Sequence, residues 1–150
     1  MDAQHEVTTN LEFPYRRSLG PVIGGFALAL RDRRIVGVRT RGGDVLVPPT
    51  EHDPRTGESV VDGFVDVGPA GEVVTWTWVG EPTVRHPLDR PFAFALIRLD
   101  GASTALAHAV DAGSIDAMRT GMRVEPRWRA GEPTGRITDL ECFVPAEGGA

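Results

Sequence analysis

Lysine is absent from this chain, so all sixteen basic residues are arginine. They face twenty-one acidic residues, for a net charge of −5. Phosphate neutralisation supplies most non-specific nucleic-acid affinity, so this shortage of positive charge disfavours a general nucleic-acid binder. Cys142 is the lone cysteine, which excludes an internal disulfide and any multi-cysteine zinc site. No apolar run approaches the roughly 20 residues of a membrane-spanning helix. The opening MDAQHEVTTN lacks the basic start and apolar stretch of a signal peptide. The chain therefore reads as a soluble, cytoplasmic protein without membrane attachment. Internal repeats and low-complexity tracts are also missing. The glycine-rich stretches GPVIGG and RGG lack the Lys and Ser/Thr of a phosphate-cradling loop.

What is present is typical of a small globular protein: 150 residues, 41% hydrophobic and 25% charged, enough for a barrel plus an appendage. Eighteen Gly and twelve Pro favour many short strands and turns over long helices. The arginine-only basic set suits bidentate recognition of phosphate or carboxylate. A coding preference for Arg, Ala, Gly and Val accounts for it better.

The strongest strand signal is GEVVTWTWV, residues 71–79, rich in β-branched and aromatic residues and free of breakers. Strict alternation places Val74, Trp76 and Trp78 on one face, and Val73, Thr75, Thr77 and Val79 on the other. Upstream, LEFPYRRSLGP brings Phe13, Tyr15 and Leu19 with two prolines, an extended arm suited to lie along a partner. Apolar spacing then predicts a helix over residues 21–33, with Val22, Ile23, Phe26 and Leu30 on it and Pro21 at its first position. Gly24 and Gly25 each weaken that helix by about 1 kcal/mol relative to Ala, which a close packing contact would explain.

Residues 35–39 form a short strand. The following TRGGDVLVPPTEHDPRTGE has two turn knuckles flanking a brief apolar strand at Val45–Val47, the shape of a zinc ribbon. Its four ligand positions would be Arg39, Gly42, Asp53 and Thr56, none able to supply a thiolate, so no metal is expected. Residues 58–67 lead into residues 71–79, and the two together read as one long, bent or hairpin-like first barrel strand. Strands at 91–101, with a DG turn signal, and 103–110 follow. A short helix at 114–120 is expected to be capped by Ser114 and ended by Gly121. Strands at 122–128, with Pro126 marking an edge or bulge, and 136–145 complete the chain. Five strands with a helix between the third and fourth is the OB-fold plan. The fold class is thus mainly β: a five-stranded OB-fold barrel (59–150) preceded by an arm and helix (1–34) and a degenerate, metal-free ribbon-like segment (35–58).

Several side chains invite a chemical reading. His108 with Asp111 could be a base and its orienting carboxylate, but residues three apart on a strand face opposite ways, and a buried structural histidine fits better. His52–Asp53 and His86 with Asp89 have no metal-site spacing and read as loop residues. Cys142, without a basic sequence neighbour, reads as an inert core thiol. Trp76 and Trp78, with Phe92 and Phe94, occupy strands where an OB-fold stacks single-stranded nucleic acid; in a small acidic barrel they suit core or protein interface better. Arg119, Arg123, Arg127 and Arg129 line one outward side, where they could meet a nucleotide phosphate or an acidic partner, or simply be solvated.

The helix, the GGDVLVPP and DPRTG knuckles, GEVVTWTWV, PFAFALIRLDG, IDAMRTGMRVEPRW and CFVP, in that order, resemble the zinc-ribbon/OB-fold proteins associated with acyl-CoA metabolism. The resemblance spans residues 19–145. Family members carry four cysteines where this chain has Arg39, Gly42, Asp53 and Thr56, which removes the metal. The resemblance implies a non-catalytic subunit bound to a thiolase-like enzyme, scaffolding it or helping to hold an acyl-CoA thioester. The lost ribbon, with GPVIGGF and HPLDRPFAFALIRLDG, is most similar to the domain paired with lipid-transfer-protein-like aldolases, which cleave steroid side-chain thioesters by a retro-aldol step. A heterotetramer with a thiolase-fold dimer is the expected assembly. Phe13, Tyr15, Phe26, Trp76, Trp78, Arg119 and Arg123 are the candidate partner- or ligand-binding residues. A single-stranded nucleic-acid binder and a stand-alone acyl-CoA hydratase or thioesterase are the alternatives.

Overall fold

A computed structural model describes residues 9–147. Helix α1 (Gly20–Arg31) is followed by strands β1 (Ile35–Arg39), β2 (Val45–Leu46), β3 (Val65–Val67), β4 (Gly71–Val79), β5 (Phe92–Leu99), β6 (Leu106–Val110), β7 (Arg123–Trp128) and β8 (Leu140–Pro145). β4 to β8 close into a barrel in the order β4-β5-β6-β8-β7, while β2-β1-β3 form a separate small sheet. Mainly β with a five-stranded closed barrel is the OB-fold plan, as the sequence predicts.

The barrel interior is built by alternation. On β5, Ala93, Ala95, Ile97 and Leu99 point in, and Phe94, Leu96 and Arg98 point out. The small alanines sit opposite large tryptophans on β4: Trp76 pairs Ala95 and Trp78 pairs Ala93. Large-on-small pairing lets a narrow barrel fill without voids. The interior is completed by Val73, Leu106, Val110, Val124 and Phe143.

The two-face reading of β4 needs correction. The register slips between Val73 and Thr75, a β-bulge, so Gly71 and Val73 face inward before it and Trp76 and Trp78 after it. Val74, grouped with the tryptophans by strict alternation, is instead exposed at the bulge. Bulges re-aim side chains in this way where a strand must bend. Gly71 and Glu72 pair β5 on one side and β7 on the other, so the bend falls where β4 leaves one neighbour.

Three further expectations change. Val65–Val67 pairs with β1, not with the barrel, so residues 58–67 do not extend the first barrel strand. The 114–120 segment is only a 3-10 turn, Ile115–Ala117, and Ser114 makes no side-chain cap. The last strand begins at Leu140 after a second 3-10 turn, Ile137–Asp139. Helix α1 forms as expected and packs Phe26, Ala29 and Leu30 inward. Its glycine pair splits: a Cβ on Gly25 would meet the Phe64 ring at 2.3 Å, whereas one on Gly24 would meet nothing within 4 Å. Close packing therefore explains Gly25 alone.

Candidate docking surface

The two knuckles of the ribbon-like segment are closed by hydrogen bonds. In the first, Thr40 N–H donates to the Asp44 carbonyl at 2.8 Å and Asp44 N–H to Thr40 Oγ1 at 3.1 Å. In the second, Asp53 N–H donates to the Glu58 carbonyl, Gly57 N–H to the Asp53 carbonyl, and Arg55 N–H to Asp53 Oδ1 at 2.9 Å. An Arg55–Asp44 ion pair joins the two knuckles. Arg39, at a ligand position of the ribbon, donates to the Gly43 carbonyl at 3.0 Å. Among the described residues no group of three or more His, Cys, Asp or Glu is placed to hold a metal ion. Local hydrogen bonds thus hold both knuckles in shape.

This small sheet is stapled to the barrel by two hydroxyls that sequence reading missed. Val45 N–H donates to Ser103 Oγ at 3.0 Å, and Ser103 N–H to the Val45 carbonyl at 2.8 Å. Thr104 Oγ1 accepts from Val47 N–H at 2.7 Å and donates to the Val47 carbonyl at 2.9 Å. The staple thus satisfies the backbone along the outer edge of β2. As residues of a supposed strand, Ser103 and Thr104 gave no signal of this role.

The expected chemical groups do not assemble into a reacting centre. His108 lies within the barrel wall with its ring edge-on to Phe143 at 5.8 Å, and its Nδ1 has no hydrogen-bond partner. Burial pushes its pKa below the ordinary histidine value, against the pull of the Ala109 and Ile137 backbone. Asp111 does not orient it. That carboxylate accepts from Arg90 Nη2 at 2.7 Å and Arg127 Nη2 at 2.9 Å. Burial raises its pKa, but the two guanidinium hydrogen bonds outweigh burial and hold it below the usual carboxylate range. Cys142 is fully buried, and burial raises its thiol pKa although Arg127 stands directly across the ladder. The basic neighbour that the sequence did not show is therefore present, and burial overrides it. Asp139, unnoticed in the sequence, accepts hydrogen bonds from the N–H groups of Thr134, Gly135 and Arg136 and from the Thr134 hydroxyl. The Thr134 N–H leads in holding its pKa down to about 2.

The candidate binding residues separate into three groups. Phe26 is in the core and offers no free surface, and Trp76 and Trp78 are half-buried against the barrel interior. Arg123 is committed to a bidentate pair with Asp100, at 2.8 and 2.5 Å. Arg127 and Arg129 are also engaged, the latter with the Thr138 carbonyl at 2.9 Å. Arg119 alone of the four has a side chain without a hydrogen bond or ion pair among the described residues. Phe13 and Tyr15 are 74% and 81% exposed on the arm.

A further apolar surface lies on the outer wall of the barrel. Its upper part is roofed by the loop before β5, where Leu88 covers Phe92, Ala109 and Cys142 in a second small core. His86, whose Nδ1 accepts from Thr83 N–H at 2.8 Å, stands edge-on to Phe92 at 5.8 Å. Below this roof the wall is open. Phe94 and Leu96, 39% and 40% exposed, share it with Thr75, Thr77 and Ala107 around a shallow depression of about 290 Å³. An uncovered apolar sheet face of this kind is a candidate binding surface.

Barrel and small sheet together define an OB-fold protein with an open apolar wall. Residues 64–129 match the family described as ChsH2, C-terminal OB-fold domain. Over this segment the chain is similar to that family, and the resemblance to zinc-ribbon/OB-fold proteins holds. A DUF35 domain-containing scaffold protein of Pyrococcus furiosus is 29% identical over 92 residues, covering 61% of this chain. The match spans 66% of that relative, just under two thirds of its length. Among solved structures, the Ltp2-ChsH2(DUF35) aldolase superposes with a TM-score of 0.62 at 21% identity, covering 87% of this chain and 98% of that one. A DUF35-family protein of unknown function from Sulfolobus solfataricus gives 0.57 at 19%, covering 71% and 78%.

Proposed function

We propose that this chain is a non-catalytic OB-fold subunit that docks on a thiolase-fold aldolase and supports retro-aldol cleavage of an acyl-CoA thioester, with a steroid side chain as the substrate class. The observation that carries it is the open apolar wall at Phe94 and Leu96, beside a barrel in which His108 lies in the wall and Asp111 is tied to two arginines. The similarity to an Ltp2-ChsH2 aldolase and to a scaffold protein supports the same reading. Two copies of this chain on a dimeric partner, a heterotetramer, follow from partner symmetry. Arg119 is the candidate contact to the coenzyme A phosphates, since the other arginines of that side are engaged within the chain.

The alternatives are less well supported. A single-stranded nucleic-acid binder would stack bases on several outward aromatics in a basic groove, yet of Trp76, Trp78, Phe92 and Phe94 only Phe94 is turned outward, and the net charge is −5. A stand-alone hydratase or thioesterase would need an acid/base pair, and His108 and Asp111 do not form one. The test is gentle purification of the tagged chain with mass spectrometry of what accompanies it. A near-stoichiometric thiolase-fold enzyme is expected. Recovery of the chain alone, or with oligonucleotide whose binding falls steeply with salt, would overturn the reading.

A further inference from the structure

Residues 9–19 form no helix or strand, and every one of them is exposed. Extended pairing would put Leu11, Phe13 and Tyr15 on one face of this segment and Glu12, Pro14 and Arg16 on the other. The backbone N–H and C=O groups of residues 9–16 make no hydrogen bond to the rest of the described chain. An alternating apolar segment with a free backbone is the form in which a peptide adds to the edge of a sheet. Pro14 decides which backbone edge can pair. Within a strand the N–H and C=O of one residue point to the same side, and those of its neighbours to the other. Pro14 lacks an N–H, so the edge shared by residues 12, 14 and 16 cannot form a full ladder. The edge shared by Leu11, Phe13 and Tyr15 can.

Resting on the subunit reading above, we infer that residues 11–15 dock by strand addition to an exposed sheet edge of the aldolase partner. The backbone of Leu11, Phe13 and Tyr15 pairs with that edge, and their side chains enter apolar pockets beside it. Arg16 and Arg17 follow at once. Neither has an ion-pair partner among the described residues, although the chain as a whole is acidic. The complementary surface on the partner therefore carries carboxylates next to its apolar pockets. Leu19 and Ile23, exposed on the start of α1, continue the apolar track toward the body of the protein.

The test is a proline scan of the full chain. The probe is the thiolase-fold enzyme that accompanies the tagged wild-type chain, identified and then purified alone. Leu11→Pro and Tyr15→Pro remove an N–H from the pairing edge and should weaken binding on the order of tenfold or more each. Glu12→Pro and Arg16→Pro remove one from the free edge and should bind nearly as the wild type does. Phe13→Ser should weaken binding without touching the backbone. All five variants should melt with the wild type, because the arm lies outside the core. Equal binding by all five overturns strand addition while leaving the subunit reading intact. Equal loss in the two proline pairs overturns the edge assignment. Failure of the wild-type chain to bring down a thiolase-fold enzyme overturns the subunit reading and this inference with it.

Discussion

The two sheets of this chain are held together by different physics. The barrel closes on itself, hides most of its edges and fills its interior with fully buried aliphatic side chains and Phe143. The small sheet has strands of five, two and three residues, far too little to stand alone in water. It persists because α1 packs on β1, because Ser103 and Thr104 staple β2 to the barrel, and because hydrogen bonds close its turns. Docking to a stable neighbour therefore supplies what three short strands cannot supply alone. Its stability should be borrowed from the barrel, and several changes can separate the two.

The largest effect is expected from Phe143→Ala, which empties the centre of the barrel and should cost about 3–5 kcal/mol. Chemical denaturation should show both sheets lost in one shifted transition. Gly37→Ala strikes the small sheet alone. A Cβ there would lie 2.6 Å from the Leu46 carbonyl oxygen and 2.9 Å from side-chain atoms of Val45 and Val47. About 1–3 kcal/mol of overpacking should appear as lost amide protection in β1 and β2, with the barrel amides unchanged. Thr104→Val removes both hydrogen bonds to Val47 and should cost about 1 kcal/mol. Hydrogen exchange should report faster opening of β2 with little change in the barrel.

Acid should act on the barrel side. The folded pKa of His108 is lowered, so its contribution is present above the ordinary value of about 6.5 and lost as pH falls below it. Asp139 has a lowered folded pKa of about 2, so its contribution is present above the ordinary carboxylate range and lost as pH falls from about 4 toward 2. His108→Leu should flatten the first part of a stability–pH profile and Asp139→Asn the second. The smallest effect belongs to Arg34→Ala. It breaks an exposed bidentate pair with Asp66 across the small sheet, and the melting temperature should barely move.

Legibility in the sequence followed the same division. Strands β4, β5 and β7 were visible because their apolar and aromatic residues alternate over six or more positions. The bulge after Val73 was not, since it arises where β4 exchanges neighbours, a fact of topology rather than of local pattern. The allegiance of Val65–Val67 was hidden for the same reason: three residues of alternation do not say which strand they pair. The arm was legible from its surplus of apolar residues. The open wall was half legible. Phe92 and Phe94 were singled out as aromatics on a barrel strand, but nothing local showed that Leu88 would cover Phe92 and leave Phe94 and Leu96 bare. The outward arginines were found as a stripe. Their partners, Asp100, Asp111 and Glu141, lie between 14 and 23 residues away, so their engagement could not be read.

The central claim is that this chain serves an aldolase rather than reacting itself. Its most direct test is retro-aldol turnover of a steroid side-chain acyl-CoA thioester, measured with the purified partner alone, this chain alone, and both together. The account predicts turnover from the mixture far above that of the partner, and none from this chain by itself. Equal activity of the partner with and without the chain, or cleavage by the chain alone, would contradict it.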